Sequence, residues 1–320
     1  MDQTPKCKRL QATYKDEKGL LSEPRRAVIC VKKEEYMHIT VEQATERTIT
    51  VTAITDVSTQ TLYSILIHME LLLMIFDGRF ISLDELMFSN SDSLSENRLV
   101  AYSRHIKMRR LSYFDSSEFC KYAMNKLIDF DEIITSELFE KWEQLHSKLD
   151  IVHNMFLYSL GNNGITTDVK CAMLLEHAEP LIEIINEYKK LFPSLKPGDR
   201  GTTLKDCLNV LITTYGKEIF ENELKSDFDT VLQIFVNSRV RIMHIKRAQR
   251  GMYLNGEQSI LYSVKMYLLY RSVIFDLLGI DNVVYYDNLC RCVQKWDEWN
   301  DTLKKFLNDV LKTQSNNRDL

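Results

Sequence analysis

The sequence contains little glycine and proline, with 10 glycines and 5 prolines among 320 residues. Enzymes that hold phosphates with backbone N–H groups need glycine-rich loops, and neither GxxxxGK[ST] nor GxGxxG occurs. The HExxH pattern of zinc proteases and the GxSxG pattern around a serine nucleophile are also missing. These absences argue against P-loop chemistry, dinucleotide binding and those two kinds of hydrolase.

A disulfide framework or a zinc site is equally poorly supported. The 7 cysteines are scattered, and an odd number without regular spacing does not fit a disulfide scaffold. Cys290 and Cys292 form the one close pair, whereas a structural zinc ion takes four ligands and often uses paired knuckles. We therefore expect no disulfide framework, no metal and no cofactor.

The sequence also lacks a strong charge of one sign and a long apolar run. The net charge is -4, so a nucleic-acid partner would have to be met by a local basic patch. The start, MDQTPKCKRL, has no secretory apolar run. The most apolar stretch, residues 62–76, is shorter than the roughly 20 residues that a membrane span needs. We predict a buried helix in a cytoplasmic protein without a membrane partner.

Three segments near the start alternate like strands. AVICV (27–31), YMHIT (36–40) and RTITVTAI (47–54) are rich in β-branched residues, which predicts a small antiparallel meander. The helix at 62–76 is expected to pack on that sheet. Residues 1–26 are polar and basic, and we expect them to be loose.

The next two segments are read from weaker signals. SLDE (82–85) resembles a capping box and predicts the start of a short helix. The basic, partly alternating segment 98–114 predicts an edge strand or an exposed arm.

From about residue 116 the pattern is helical throughout. Helical periodicity appears near 134–160, 168–192, 203–223, 226–246, 257–279 and 287–312. In the last of these, one apolar stripe predicts either intramolecular core or a dimer contact; its members are Leu289, Val293, Trp296, Leu303, Phe306 and Val310.

We therefore predict a mostly α protein in two parts. Residues 1–112 form a small α+β N-terminal domain with a sensor or regulatory role. Residues 113–320 form a helical domain that ends in an amphipathic helix.

Histidines are the remaining candidates for chemistry. His146 and His153 lie seven residues apart on one helix face, which suits either a ligand pair across two turns or ordinary structural roles. His68 and His177 lie among apolar residues and read as core histidines.

One histidine has a cationic setting. The segment VNSRVRIMHIK (236–246) places Arg239 and His244 with four residues between them. Histidine titrates near neutral pH and suits general acid–base catalysis, whereas arginine offers a permanently charged fork for phosphate oxygens. A competing reading is that these cations only offset the dipole at a helix C-terminus. Arg98 and His105 have a similar spacing, so the spacing alone does not decide.

The surroundings of Arg239 and His244 resemble a known family. The helix FDTVLQIFVNS precedes them, a polar loop follows at 247–258, and a long apolar helix, residues 259–280, ends in LLGI. Together these features resemble the end of the ApeA-like HEPN family of prokaryotic antiviral ribonucleases. Upstream, ELFEKWEQL (137–145) and CAMLLEHAEPLIEIINEY (171–188) resemble the tryptophan-bearing segment and the first HEPN helix. The resemblance covers roughly residues 135–282.

The resemblance implies a fold and an activity. The fold is a HEPN-like helical bundle at about 165–285. The activity is that of a metal-independent endoribonuclease, acting as an antiviral or abortive-infection toxin on RNA. Arg239 and His244 would be catalytic in a cleft made by two copies of the chain. The N-terminal domain would respond to a phage or regulatory trigger.

Three neighbouring polar residues are predicted to bind substrate. Arg241 lies three residues from His244 on the same helix face and would add phosphate affinity, and Lys246 extends the basic edge. Family members often carry a polar residue directly after the motif arginine, whereas this chain has Val240. Arg241, or Asn237 from the preceding turn, would take its place.

Geometry on a helix favours a homodimer. Five residues along an ideal helix place Arg239 and His244 about 140° apart, so one chain presents them awkwardly unless the helix ends between them. A two-fold interface between HEPN-like helices would bring both copies together. Two other readings remain: a non-catalytic HEPN-like module that binds nucleotide, RNA or protein, and a helical scaffold in which the two residues merely cap a helix.

Overall fold

The computed structural model describes residues 5–15, 24–44, 46–78, 82–90, 96–111, 126–161, 164–198, 201–245, 251–298 and 300–318. The chain is mostly helical and carries one five-stranded antiparallel sheet. It divides into two compact units, residues 1–145 and 146–320. The boundary predicted at residue 112 lies outside the described residues.

The first unit is built on the sheet. Its strands are β1 (Lys6–Lys15), β2 (Arg25–Lys32), β3 (Tyr36–Gln43), β4 (Glu46–Ser58) and β5 (Ser82–Ser89), in the spatial order β2-β3-β4-β1-β5. The predicted meander is confirmed as β2, β3 and β4. Ile29 pairs with Ile39, which pairs with Val51, and all three are buried. One face of the sheet therefore carries the apolar side chains.

Helix α1 (Thr59–Asp77) covers the sheet by contacts with β1 and β4, as predicted. It begins at Ser58, whose hydroxyl accepts a hydrogen bond of 3.0 Å from the Thr61 N–H. By length and composition α1 could cross a membrane, since its most apolar 18-residue stretch has a mean hydropathy of 1.4. In this structure 61% of that stretch is buried inside the protein. Buried polar contacts tie it down further, because Arg47 on β4 binds Asp77 and Gln43.

The expectation that residues 1–26 are loose is wrong for the part that the structure describes, residues 5–15 and 24–26. Strand β1 lies between β4 and β5, and it buries Cys7, Leu10, Ala12 and Tyr14. A register shift between Cys7 and Arg9 interrupts the two-residue alternation, which leaves only the short run Leu10, Ala12 and Tyr14 as a strand signal.

The helix predicted to open at SLDE is also wrong, since residues 82–89 form strand β5. Leu83, Leu86 and Phe88 are buried in this strand, and their three-then-two spacing comes from a register shift opposite Thr13 and Tyr14. A spacing of three imitates a helix. Pairing with β1 overrides the local capping signal.

The strand or arm predicted for residues 98–114 is wrong as well, because helix α2 (Glu96–Leu111) occupies this segment. Leu99 and Ser103, four residues apart, are its buried positions. The Ser103 hydroxyl accepts a 3.0 Å hydrogen bond from the Phe88 N–H and donates one of 2.7 Å to the Leu99 carbonyl. The helix is thus fixed to β5 by packing that a local pattern does not contain.

Residues 126–145 complete the first unit. They include α3 (Phe130–Ile133) and the start of α4 (Ser136–Gly161). The Leu127 N–H donates to the Phe76 carbonyl at 2.9 Å, and the Trp142 indole donates to the His68 carbonyl at 2.7 Å. These contacts explain why the compact unit extends to residue 145.

The second unit is helical in all of its described elements. After the rest of α4 come α5 (Thr167–Glu176), α6 (Ala178–Lys189), α7 (Leu204–Tyr215), α8 (Glu221–Leu224), α9 (Phe228–Met243) and α10 (Gly256–Leu278). A short 3-10 turn (Asn282–Val284), α11 (Tyr286–Asp297) and α12 (Asn300–Arg318) follow. Among the described residues every strand precedes residue 90, as the pattern predicted.

Helix α10 is the centre of the second unit. It packs against α5, α7, α11 and α12, and it is buried nearly all round. An Asn255–Gln258 capping box opens it, and Gly279 closes it with φ 78. Even Lys265 is buried, at 1% side-chain exposure, and its Nζ lies 2.8 Å from a carboxylate oxygen of the fully buried Glu223.

The apolar stripe of the C-terminal segment is intramolecular core. All six members are buried, although the segment forms two helices, α11 and α12, rather than one. Of the two roles predicted for the stripe, packing within the chain is the one observed.

Candidate functional site

The candidate site lies at the C-terminal end of α9. Asp227 opens this helix, since its carboxylate accepts from the Thr230 N–H at 3.3 Å and from the Thr230 hydroxyl at 2.6 Å. Val231, Leu232 and Phe235 bury one face. The polar residues of the candidate site lie at the C-terminal end of the helix.

Helix α9 ends between Arg239 and His244. Its last residue is Met243, and the backbone then changes direction, with His244 at φ -102 and Ile245 at φ 51. A β-branched residue at positive φ is strained, so the surrounding structure must hold this turn in place. Ile245 is 87% exposed, so most of its apolar side chain faces solvent.

The turn brings the two predicted catalytic side chains together in one chain. Arg239 Nη1 lies 3.3 Å from His244 Nε2. This is the exception that the sequence analysis allowed, a helix that ends between the two residues, because the 140° separation holds only on a continuous helix. The helical argument for a second copy therefore falls away.

Arg239 also binds Glu176, a residue that the sequence analysis did not single out. The Nε and Nη2 groups of Arg239 each donate to one carboxylate oxygen of Glu176. This two-pronged pair keeps the Arg239 side chain only 20% exposed. Hydrogen bonding to Glu176 raises the pKa of Arg239 above its usual value, so the guanidinium stays charged.

Pro180 explains why Glu176 stands at a helix end. A proline has no N–H to bond the carbonyl four residues earlier, which here belongs to Glu176. Accordingly α5 ends at Glu176 and α6 begins at Ala178, although the sequence predicted one continuous helix at 168–192. The proline was a usable signal for the break, whereas the pairing of α5 with α9 was not readable from the sequence.

A second carboxylate lies near the pair. The electrostatic neighbours of Glu179 include Glu176 and Arg239. Burial, and then the negative charge of Glu176, raise the pKa of Glu179. The surroundings of Arg239 therefore include acidic side chains as well as basic ones.

Asn237 and Ser238 hold the end of the loop that leads from α9 to α10. The Asn237 amide donates to the Met252 carbonyl at 3.0 Å, and the Leu254 N–H donates to the Ser238 hydroxyl at 2.8 Å. Gly251 (φ 85) lies so close that an added Cβ would stand 3.1 Å from the Asn237 amide nitrogen. Substrate binding by Asn237 stays a prediction, and the structure gives its amide a loop-anchoring contact.

Arg241 stacks on the anchored loop. Its guanidinium carbon lies 4.1 Å from the ring centroid of Tyr253, a cation–π contact. Arg241 is also the basic residue of the last turn of α9, where it offsets the helix dipole. Lys246, the remaining predicted substrate-binding residue, lies outside the described residues.

His153 and His177 form a separate, buried cluster with Tyr270. His153 Nδ1 lies 2.9 Å from the Tyr270 hydroxyl, and the ring of His177 lies 6.0 Å from that of Tyr270. Burial lowers the pKa of His177 to about 4 and, with the charges of His146 and His177, that of His153. Both histidines are therefore neutral core groups at neutral pH.

The predicted ligand pair does not belong to a metal cluster. The rings of His146 and His153 stand edge to face at 5.2 Å. Within the described part of the chain no group of three or more histidine, cysteine, aspartate or glutamate side chains is placed to hold a metal ion.

No family model, curated protein or solved structure matches the chain. The chemistry of the site has to be argued from its own residues.

Proposed function

We propose that the protein is a metal-independent endoribonuclease of the HEPN type. The observation that carries the proposal is the 3.3 Å contact between Arg239 Nη1 and His244 Nε2 at the end of α9. His244 is exposed, as a group that meets a large substrate must be. An acid–base group thus stands beside a fixed cation, which is what phosphate transesterification needs.

The reaction follows from these two groups. Neutral His244 removes the proton of an RNA 2′-hydroxyl, and the 2′-oxygen attacks the adjacent phosphorus. Arg239 stabilises the negative charge that builds on the phosphate oxygens. The bond from phosphorus to the 5′-oxygen breaks, and that oxygen takes a proton. The products are a 2′,3′-cyclic phosphate and a 5′-hydroxyl end, and DNA is not a substrate because it lacks the nucleophile.

Glu176 leaves Arg239 able to act. A guanidinium has five N–H donors on more than one edge, and Glu176 accepts from Nε and Nη2. One Nη1 donor faces His244 Nε2 at 3.3 Å, and the other Nη1 donor and one Nη2 donor remain. A phosphate can therefore bind the second edge while Glu176 fixes the orientation of the first.

A two-fold homodimer supplies what one site lacks. In an in-line displacement the entering and leaving oxygens lie on opposite sides of phosphorus, so a single imidazole cannot serve both. Met243 is 41% exposed and Ile245 is 87% exposed, and together they give the end of α9 an apolar surface beside His244. We place a second copy of the chain there, with its own His244 facing the same cleft.

The biological setting is proposed from the family resemblance alone. It is that of a cytoplasmic antiviral or abortive-infection toxin, with RNA as substrate. The first unit would act as the sensor for a phage or regulatory trigger.

A non-catalytic HEPN-like module is the second candidate. Two observations favour it. The carboxylate of Glu176 balances the positive charge of Arg239, and Val240 stands where the family often has a polar residue. Such a module would bind nucleotide, RNA or protein without cutting.

One experiment separates the two candidates. The purified protein is incubated with total RNA and EDTA, and the new ends are mapped chemically. We expect 2′,3′-cyclic phosphate and 5′-hydroxyl ends, and a loss of about 10²–10⁴-fold in rate for His244→Ala. The double variant Arg98→Ala/His105→Ala, on α2, is the matched control and should cleave normally. Dependence on magnesium, 3′-hydroxyl ends, or cleavage that survives His244→Ala would reject the ribonuclease proposal.

A further inference from the structure

We propose that Tyr253 and Arg241 form a stacking subsite for an unpaired nucleobase, next to the phosphate site of Arg239 and His244. The inference rests on the proposed function, since it names the form of RNA that the site would accept. That form is single-stranded RNA, whose bases are free to leave their own stack.

The first support is the exposed stack itself. Arg241 lies 4.1 Å above the Tyr253 ring centroid, and Tyr253 nevertheless remains 40% exposed. An exposed aromatic ring beside a planar cation is how proteins that bind single strands receive bases without reading their edges. The stack can be extended by one more planar group.

The second support is that α9 holds the backbone on both sides of Tyr253. Tyr253 lies between Met252 and Leu254, whose backbone groups bind Asn237 and Ser238. These two residues directly precede Arg239 in α9. The Ser238 hydroxyl also donates to the Ile234 carbonyl at 2.7 Å, so the anchor is itself fixed. A subsite positioned by the helix that carries the catalytic pair keeps a constant relation to it.

The third support is the arrangement around the end of α9. Arg239 and Arg241 are about 160° apart around the helix, and their partners lie on different elements, Glu176 on α5 and Tyr253 on the loop. His244 caps the helix end. An RNA strand laid across this end would meet Arg239 on one flank and Tyr253 on the other. The stacked base therefore belongs to a nucleotide beside the scissile phosphate.

The charge at the C-terminal end of α9 also favours an RNA strand in this position. A helix C-terminus carries partial negative charge and repels phosphate unless cations offset it. Arg241 lies in the last turn, where it supplies that charge. Because its guanidinium is planar, it also stacks, which lysine in the same position would not do.

Binding of an uncleavable RNA tests the subsite apart from cleavage. The probe is a short fluorescent oligonucleotide with 2′-fluoro sugars, used single-stranded, paired with its complement, or with its bases replaced by abasic positions. We expect the single strand to bind most tightly. Tyr253→Ala should weaken that binding about tenfold, the usual effect of losing one base–aromatic stack. Tyr253→Phe and Tyr253→Trp should restore it.

The control variant and the abasic probe separate stacking from loop damage. Tyr188→Ala is the control, because Tyr188 lies on α6 and is about as exposed as Tyr253, at 43%. This variant should bind the probe as tightly as the unchanged protein does. The abasic probe should bind the unchanged protein and Tyr253→Ala equally. An equal loss by Tyr253→Ala with both probes, no loss with either, or no binding of RNA by the unchanged protein would each overturn the subsite.

The outcomes also separate the two proposals. Cleavage that is indifferent to every Tyr253 variant rejects the subsite and leaves the ribonuclease intact. Base-dependent binding through Tyr253 without any cleavage supports the subsite and rejects the ribonuclease.

Discussion

Glu176 and Arg239 form a two-pronged ion pair between α5 and α9, and this pair leaves the Nη1 nitrogen of Arg239 beside His244. In the proposed ribonuclease the carboxylate would have two opposite effects. It would fix the orientation of the guanidinium, and it would weaken the attraction of Arg239 for phosphate.

Changing Glu176 should separate these effects. We expect Glu176→Gln to lower KM, because a negative charge beside the phosphate disappears. It should also lower kcat about 10-fold, because an NH2 group that cannot accept a hydrogen bond replaces one of the two oxygens that hold Arg239. Glu176→Ala should lower kcat about 100-fold, since the guanidinium is then free to turn. Steady-state cleavage of a fluorogenic RNA measures both constants. Glu137→Gln, in the exposed Glu137–Lys141 pair, is the matched control. A kcat that is unchanged in Glu176→Ala would show that Glu176 positions nothing.

Arg239→Lys tests the fork rather than the charge. Lysine cannot bind Glu176 with two parallel hydrogen bonds and still present a second edge to phosphate. We expect a loss of about 10²–10³-fold in kcat, as for the removal of a transition-state donor. Arg26→Lys, in the exposed Arg26–Glu42 pair, should have no effect. Full activity of Arg239→Lys would contradict the role of the fork.

If the proposed dimer forms the cleft, the cleavage rate per chain should depend on protein concentration. Light scattering at tens of micromolar should give twice the chain mass, and Ile245→Asp should give a monomer that cleaves poorly. Aspartate accepts positive φ more readily than isoleucine, so this change does not add backbone strain. Ile54→Asp, at a strand position that is 64% exposed, is the control. A monomer that cleaves RNA at full rate would reject the dimer.

The buried histidines predict a loss of stability in mild acid. His177 has its pKa lowered by burial from 6.5 to about 4. Between these values the unfolded chain binds a proton that the folded chain does not, so the free energy of unfolding falls as the pH falls. The full effect of His177 is about 3 kcal/mol, reached near pH 4.

The same effect can be measured with one pair of variants. Urea unfolding between pH 7 and pH 4 should show a weaker pH dependence for His177→Phe than for the unchanged protein, and His153 contributes to the pH dependence that remains. His105→Phe, on the exposed side of α2, should leave the pH dependence unchanged. Parallel curves for the unchanged protein and His177→Phe would mean that His177 is charged in the folded state.

The second unit was predictable because its signals are local. Helix α10 was predicted at 257–279 and spans Gly256–Leu278, since an asparagine cap opens it and Gly279 closes it. Helix α9 was predicted at 226–246 and ends three residues earlier, at Met243. This earlier end matters for the candidate site, because the turn that follows α9 places His244 beside Arg239.

The errors arose where tertiary contacts override local pattern. Register shifts shorten the alternating run of β1 and break that of β5, and α2 is held by a hydrogen bond between Ser103 and a strand. At the site, spacing identified Arg239 and His244, whereas Glu176 lies 63 residues from its partner. No local pattern predicts which helices pack together, so its role was invisible before the fold was known.

The place of β1 in the sheet bears on how the first unit can be shortened and how it assembles. A chain that begins at Arg25 would seem to lose only a polar, basic stretch. It would in fact lose the strand that hydrogen-bonds to both β4 and β5, which would leave β5 and α2 detached from the meander. During synthesis β1 emerges early but pairs with Ser89 only after some eighty residues more, so β2–β4 can form first and the sheet closes last.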